Sequence, residues 1–184
     1  MQLKDIPNII TIARIILIAP IAMLLINKLF VEALILFFVA GLSDGLDGFL
    51  AKRFKWRSDL GAILDPLADK SLLIVVYIFC SIIEIIPWWL TIILVLRDAV
   101  IISGATFYYK NIQKITMSPS IVSKINTFMQ ILLILVLLLN QIFFIFEQLW
   151  MQYFFYIVLT TTLLSGADYI WTWGIKALKN NAKI

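Results

Sequence analysis

Six apolar runs, separated by short polar connections, make up most of this 184-residue chain. Each is about twenty residues long, the length an α-helix needs to cross the hydrocarbon of a bilayer. A backbone in hydrocarbon must satisfy its own hydrogen bonds, and a continuous apolar run does so as a helix. Composition agrees: 62% of the residues are hydrophobic, and the mean hydropathy of +1.01 lies far above that of a soluble domain. The chain is therefore expected to be an all-α polytopic membrane protein with six transmembrane helices. The runs fall near residues 9–26, 31–49, 59–83, 88–109, 121–146 and 149–173. Residues 1–8 read as a short N-terminal interfacial segment, and 1–184 as a single domain. The first run has no small-residue cleavage site after it and is read as a retained span.

An even number of spans puts both termini on one side. On that side fall Lys4, the Lys52, Arg53, Lys55 and Arg57 cluster, Lys110, Lys114, Lys176, Lys179 and Lys183. The other side holds Lys28, Glu32, Glu84 and Glu147. The bias of basic residues toward the cytoplasm places both termini there, in a bacterial-type cytoplasmic membrane. The positive charge thus marks a membrane side, and no nucleic-acid partner is expected.

Between Ser43 and Lys70 the apolar pattern is interrupted by Asp44, Asp47, Asp65 and Asp69. On helices, Asp44 and Asp47 share a face at i and i+3, and Gly61, Asp65 and Asp69 share one at i, i+4 and i+8. Two helices joined by a short basic turn would aim four carboxylates into one space. Four such charges in a dry setting repel one another and need cations among them. The chain has no histidine, which excludes His-ligated zinc, a Ser-His-Asp triad and His-dependent phosphoryl transfer. An oxygen-only donor set suits Mg²⁺ or Mn²⁺. Two such ions clamp phosphate oxygens for an in-line displacement. Gly48, Ala51 and Gly61 would let a ligand approach the helix backbones closely. Lys52 and Arg53 would offset its charge. The pattern points to chemistry on a diphosphate, with one carboxylate available to take a proton from an alcohol. A small transporter is the reading from another class, since intramembrane acids also mark ion paths.

Other polar residues stand out against the apolar background. Arg14 lies within the first run, Arg97 and Asp98 within the fourth, and Lys124 near the start of the fifth. Intramembrane charges need partners or a function. Asp98 and Asp168 receive no role. Asp59, just after Ser58, fits a helix-start acid, and Trp88 and Trp89 fit an interfacial belt. The lone Cys80 reads as a small buried hydrophobe.

The string Asp44-x-x-Asp47-Gly48-x-x-Ala51-Lys52, then Gly61-x-x-x-Asp65-x-x-x-Asp69, resembles the signature of the CDP-alcohol phosphotransferases. That family has D-x-x-D-G-x-x-A-R before the gap, so Lys52 stands where it has arginine, with Arg53 next. The resemblance extends over essentially the whole chain. It implies two divalent ions held by Asp44, Asp47, Asp65 and Asp69, with Asp69 also the catalytic base. It implies a cytidine-diphosphate site formed by Asp44, Gly48, Ala51, Lys52 or Arg53, Gly61 and Asp65. It further implies transfer of a substituted phosphate from a CDP-linked donor to an alcohol, with release of CMP, and a homodimer. Pro7-Asn8-Ile9-Ile10-Thr11-x-x-Arg14 and Leu64-Asp65-Pro66-Leu67-Ala68-Asp69-Lys70 resemble the branch that makes phosphatidylglycerol phosphate or cardiolipin. Arg97-Asp98 followed by Ser123-Lys124-x-Asn126-Thr127 resembles the cardiolipin-forming members more. CDP-diacylglycerol is then the implied donor and phosphatidylglycerol or glycerol 3-phosphate the acceptor. Both acceptors carry a phosphate, to which Arg14, Arg97 and Lys124 are suited.

Overall fold

The computed structural model describes the backbone of residues 6–53, 59–111 and 120–181, and the side chains of 9–43, 68, 70–104 and 120–172. All regular structure among these residues is helical: α1 (Ile6–Ile26), α2 (Phe30–Arg53), α3 (Asp59–Ile82), α4 (Trp88–Asn111), α5 (Ile121–Phe143) and α6 (Gln148–Asn181). Among the described residues, three stretches are long and apolar enough to cross a membrane, Ile9–Ile26, Ile121–Phe143 and Gln148–Thr172. Two shorter apolar stretches among the described residues are Phe30–Ser43 and Lys70–Ile82.

The helix ends differ from the apolar runs for local reasons. Helix α2 continues through Ala51, Lys52 and Arg53, where the charge density suggests a turn; all three are strong helix formers. Helix α6 extends eight residues beyond Trp173, through Lys176, Ala177, Leu178 and Lys179, all good helix formers. Helix α5 ends at Phe143, three residues short of the apolar run, because Phe144 takes a left-handed backbone (φ 51°).

Left-handed residues also close α1 and α3. Lys28 has φ 58° and Glu84 φ 62°. The Leu29 N–H donates to the Leu24 carbonyl at 2.9 Å and the Lys28 N–H to the Leu25 carbonyl at 3.0 Å. The same pair recurs after α3: Ile85 N–H to Cys80 carbonyl, 2.9 Å, and Glu84 N–H to Ser81 carbonyl, 3.1 Å. Both are Schellman caps, which satisfy the orphan carbonyls of a helix C-terminus. Each seats a charged residue where glycine is usual.

The chain divides into two compact units, Met1–Trp88 with Ile134–Ile145, and Trp89–Leu133 with Phe146–Ile184. In the first, α1 packs against both α2 and α3. On α2 the buried positions Ala33, Phe37 and Ala40 recur at four and three, and the two alanines let another backbone come close. On α3 the buried face is Leu72, Leu73, Val76, Tyr77 and Cys80. In the second unit, side-chain bonds join α4, the first half of α5, and α6.

Polarity is inverted relative to a soluble protein. Arg14, Arg97, Asp98, Asn126, Gln130, Thr162 and Ser165 are buried, whereas Ile16, Met23, Phe128 and Trp171 are more than 60% exposed. In water such an apolar exterior would drive aggregation; in lipid it is the solvated side, and helices then associate through close packing and hydrogen bonds. Together with the three spans, this pattern marks an integral membrane protein.

Candidate functional site

Asp44 and Asp47 lie on the second half of α2, and Asp65 and Asp69 on the first half of α3. The helical backbone confirms the register: each pair is about one turn apart along its own helix. Both acid-bearing helices pack on α1. The side chains of all four aspartates, and of Gly48, Ala51, Lys52, Arg53 and Gly61, lie outside the described residues. The N-terminal segment is described only from Ile6, already in α1. Among the described residues there is no group of three or more metal-ligating side chains.

Arg14, on α1, is 1% exposed. A guanidinium so deep in an apolar helix is held by interactions within the protein, which rules out simple snorkelling to an interface. Lys124, by contrast, is exposed at the first turn of α5.

The second unit contains a buried polar cluster around Arg97. Its Nη1 donates to Asp98 Oδ1 at 2.6 Å, an ion pair whose side chains are 5% and 4% exposed. Its Nη2 donates to Ser123 Oγ at 2.8 Å and to Ser165 Oγ. One guanidinium therefore ties α4 to α5 and α6. Gly166, beside Ser165, packs near this side chain: a Cβ there would meet Arg97 Cγ at 3.9 Å, an ordinary van der Waals contact. A turn further along α6, the Tyr169 hydroxyl donates to the Ile101 carbonyl of α4 at 3.1 Å.

A second polar contact joins α5 to α6. Thr161 and Thr162 Oγ1 lie 3.0 and 2.9 Å from Asn126 Oδ1. Both hydroxyls also reach the Val158 carbonyl, at 2.9 and 2.7 Å, so each splits its single hydrogen between two acceptors. Asn126 is fully buried, and such a contact between helices in lipid is worth about 1 kcal/mol.

The sequence singles out Arg97 and Asp98 as charges needing partners, and the structure shows that they are each other's. Ser165 and the Thr161–Thr162 pair carry no sequence signal. A hydroxyl in a membrane helix reads as neutral until the helix it faces is known.

A helical membrane protein with an aspartate pattern on two helices packed against a third, and a buried cationic cluster elsewhere, defines a class in which charge inside the membrane is functional. The chain belongs to the CDP-alcohol phosphatidyltransferase family, whose model matches residues 4–165. That match covers both units and every proposed site residue. The chain is 36% identical over 146 residues to the human cardiolipin synthase (CMP-forming), covering 70% of this chain and 48% of that protein. It is 33% identical over 126 residues to the CDP-diacylglycerol–glycerol-3-phosphate 3-phosphatidyltransferase of Aquifex aeolicus, covering 67% of this chain and 69% of the relative. It is 35% identical over 107 residues to a cardiolipin synthase (CMP-forming) of Streptomyces coelicolor, covering 55% and 50%. The chain thus spans about half the length of the human protein.

Proposed function

We propose that this chain is a metal-dependent phosphatidyltransferase that moves the phosphatidyl group of CDP-diacylglycerol to a hydroxyl of a glycerol headgroup and releases CMP. Phosphatidylglycerol is the favoured acceptor, which makes the product cardiolipin; glycerol 3-phosphate is the alternative, supported by the Aquifex aeolicus relative. The observation that carries this reading is the two-part aspartate and glycine pattern, placed by the backbone on α2 and α3 within the matched region. The paired glycines and the basic residues beside the acids favour this over the transporter reading.

The donor chemistry fits divalent ions: Asp44, Asp47, Asp65 and Asp69 offer only hard carboxylate oxygens, the set that holds Mg²⁺ or Mn²⁺. Two such ions, when bound, would supply charge neutralisation for the diphosphate. Gly48 and Ala51 keep α2 open to the nucleotide, Gly61 does the same for α3, and Lys52 or Arg53 meets the diphosphate. Asp69 takes the proton of the acceptor hydroxyl. The hydroxyl oxygen forms a bond to the phosphorus that bears diacylglycerol. The bridging P–O bond breaks, and CMP leaves with the electron pair. Arg14, Arg97 and Lys124 bind the acceptor phosphate.

Residues 1–184 act as one functional domain with six spans. Both termini and the chemistry lie at the cytoplasmic face of a bacterial-type membrane, and the enzyme works as a homodimer. The excess of Lys and Arg on the terminal side supports the orientation.

Purified protein in detergent with Mn²⁺ and labelled CDP-diacylglycerol, offered phosphatidylglycerol and glycerol 3-phosphate separately, tests the reading. Cardiolipin and CMP only with phosphatidylglycerol are expected. Phosphatidylglycerol phosphate only with glycerol 3-phosphate would move the reaction to the other acceptor. No product with either, from folded protein, would refute both. Asp69→Asn is expected to abolish CMP release and retain donor binding; near-native release would remove Asp69 as the base.

A further inference from the structure

Helices α4 and α6 run parallel and in register through the second unit. Arg97 meets Ser165, and Tyr169 meets Ile101, each pair 68 residues apart along the chain. Nearer the helix starts Trp89 stacks on Tyr156, with ring centroids 6.1 Å apart and planes inclined by 22°, and the offset is the same to within one residue. Trp89 is the second residue of α4, whereas Tyr156 is the ninth of α6. The first two turns of α6 therefore stand beyond the start of α4, by about 10 Å. Helix length agrees. The apolar stretch Gln148–Thr172 has 25 residues, about 37 Å of helix, against about 30 Å of hydrocarbon in a bilayer. Because α6 outruns α4 at its start, that is where surplus length leaves the hydrocarbon.

The side chains of this overhang suit a layer that is neither water nor hydrocarbon. Trp150 and Tyr153 meet edge to face, with centroids 6.1 Å apart. Together with Tyr156 and Trp89 they make a row of four rings, exposed from 41% at Trp89 to 62% at Trp150. No charged residue occurs from Gln148 to Ala167, so nothing on this face is built for water; the exposed Glu147, just before α6, lies outside it. Hydrocarbon is excluded by the ring tips. Among the described residues, neither the indole N–H groups of Trp89 and Trp150 nor the hydroxyls of Tyr153 and Tyr156 are hydrogen-bonded, and a bare donor in hydrocarbon is costly. The ester and phosphate layer of a bilayer solvates an apolar ring and accepts hydrogen bonds from its tip. The row is also continuous with the lipid-facing Ile157, Leu163 and Leu164 further along α6. We propose that Trp150, Tyr153, Tyr156 and Trp89 form a lipid-headgroup seat. Ester carbonyl and phosphate oxygens accept from the four ring tips and pin the second unit at a fixed depth in the bilayer. The seat does not depend on the transferase reading.

Depth-resolved fluorescence quenching tests it. The full chain keeps Trp150, its other tryptophans are changed to phenylalanine, and it is reconstituted in vesicles of phosphatidylethanolamine and phosphatidylglycerol. The lipids are brominated either high on the acyl chain, beside the ester, or low, near the chain end. The reference is Phe128→Trp in a tryptophan-free chain, since Phe128 is exposed well inside the apolar stretch Ile121–Phe143. Trp150 is expected to be quenched more by the high bromines, and the Phe128→Trp reporter more by the low ones. In vesicles of longer-chain lipids Trp150 keeps its level, because an anchored residue follows the headgroups. Tyr153→Leu with Tyr156→Leu keeps the apolar surface and removes two hydroxyls. Trp150 should then move toward the low bromines. Trp150 quenched by aqueous acrylamide and by neither lipid would overturn the seat in favour of water, and stronger quenching by the low bromines would overturn it in favour of hydrocarbon. Lipid quenching that disappears as protein is added to the vesicles would assign the row to a second copy instead. An unchanged Trp150 depth in the double leucine variant would show that the hydroxyls pin nothing. If the single-tryptophan chain does not fold, Leu149→Cys carrying a nitroxide decides in the otherwise native chain, where Cys80 is buried away from the label. A spin label at the phosphate level supports the seat; one in water or among the acyl chains overturns it.

Discussion

Replacing Asp98 with asparagine isolates the charge of the buried ion pair. The amide keeps an oxygen where Oδ1 accepts from Arg97 Nη1 at 2.6 Å, so the hydrogen bond survives and the neutralising charge is lost. With side-chain exposures of 5% and 4%, water does little to screen the stranded guanidinium. Breaking a buried pair by removing one partner costs about 3–5 kcal/mol. Ser123 and Ser165 still accept from Nη2, but hydroxyl dipoles do not cancel a full charge, so the lower end, about 3 kcal/mol, is expected. Equilibrium unfolding in mixed micelles, followed by fluorescence of the six tryptophans, measures this. The control is the double variant Arg97→Met with Asp98→Leu. Exchanging both charges for apolar groups of similar size is near neutral, within about 1 kcal/mol of wild type. The two single variants should therefore sum to far more than the double, a large coupling energy. A cost below about 1 kcal/mol for Asp98→Asn, or a double variant that costs the sum of its singles, would refute the view that this pair holds the charge balance of the second unit.

Three other predictions follow from local structure. Chelation with EDTA should abolish CMP release, and Mn²⁺ should restore it; activity that survives thorough chelation would exclude metal-dependent transfer. Lys28→Gly and Glu84→Gly should each raise stability by about 1 kcal/mol, because a residue with a Cβ pays that much for a left-handed backbone; thermal unfolding of the two variants checks this, and destabilisation would show that the side chains contribute more than the strain. Thr162→Val should lower stability by about 1 kcal/mol through the lost α5–α6 hydrogen bond, without altering the KM for CDP-diacylglycerol; an unchanged unfolding midpoint would show that Thr161 alone holds Asn126.

The aspartate pattern was legible because its information is spacing. Four acids at three and four along apolar runs define helical faces without knowledge of any neighbour, and α2 and α3 carry them in that register. The ends of those helices were harder to read. Lys52 and Arg53 look like a turn by charge yet continue α2 by propensity. The polar end of α6 continues as helix with no apolar period to announce it. The left-handed caps at Lys28 and Glu84 use residues that give no capping signal. Least legible was the partner set of Arg97. A sequence shows that a guanidinium in a membrane span needs acceptors, but Asp98 is its chain neighbour while Ser123 and Ser165 lie 26 and 68 residues away. Those serines differ from the exposed Ser103, whose hydroxyl donates to the Val100 carbonyl of its own helix. A serine that closes on its own backbone says nothing of a neighbouring helix. One that accepts from a buried cation ties two helices together, and that difference comes into view only when donors are matched to acceptors in three dimensions.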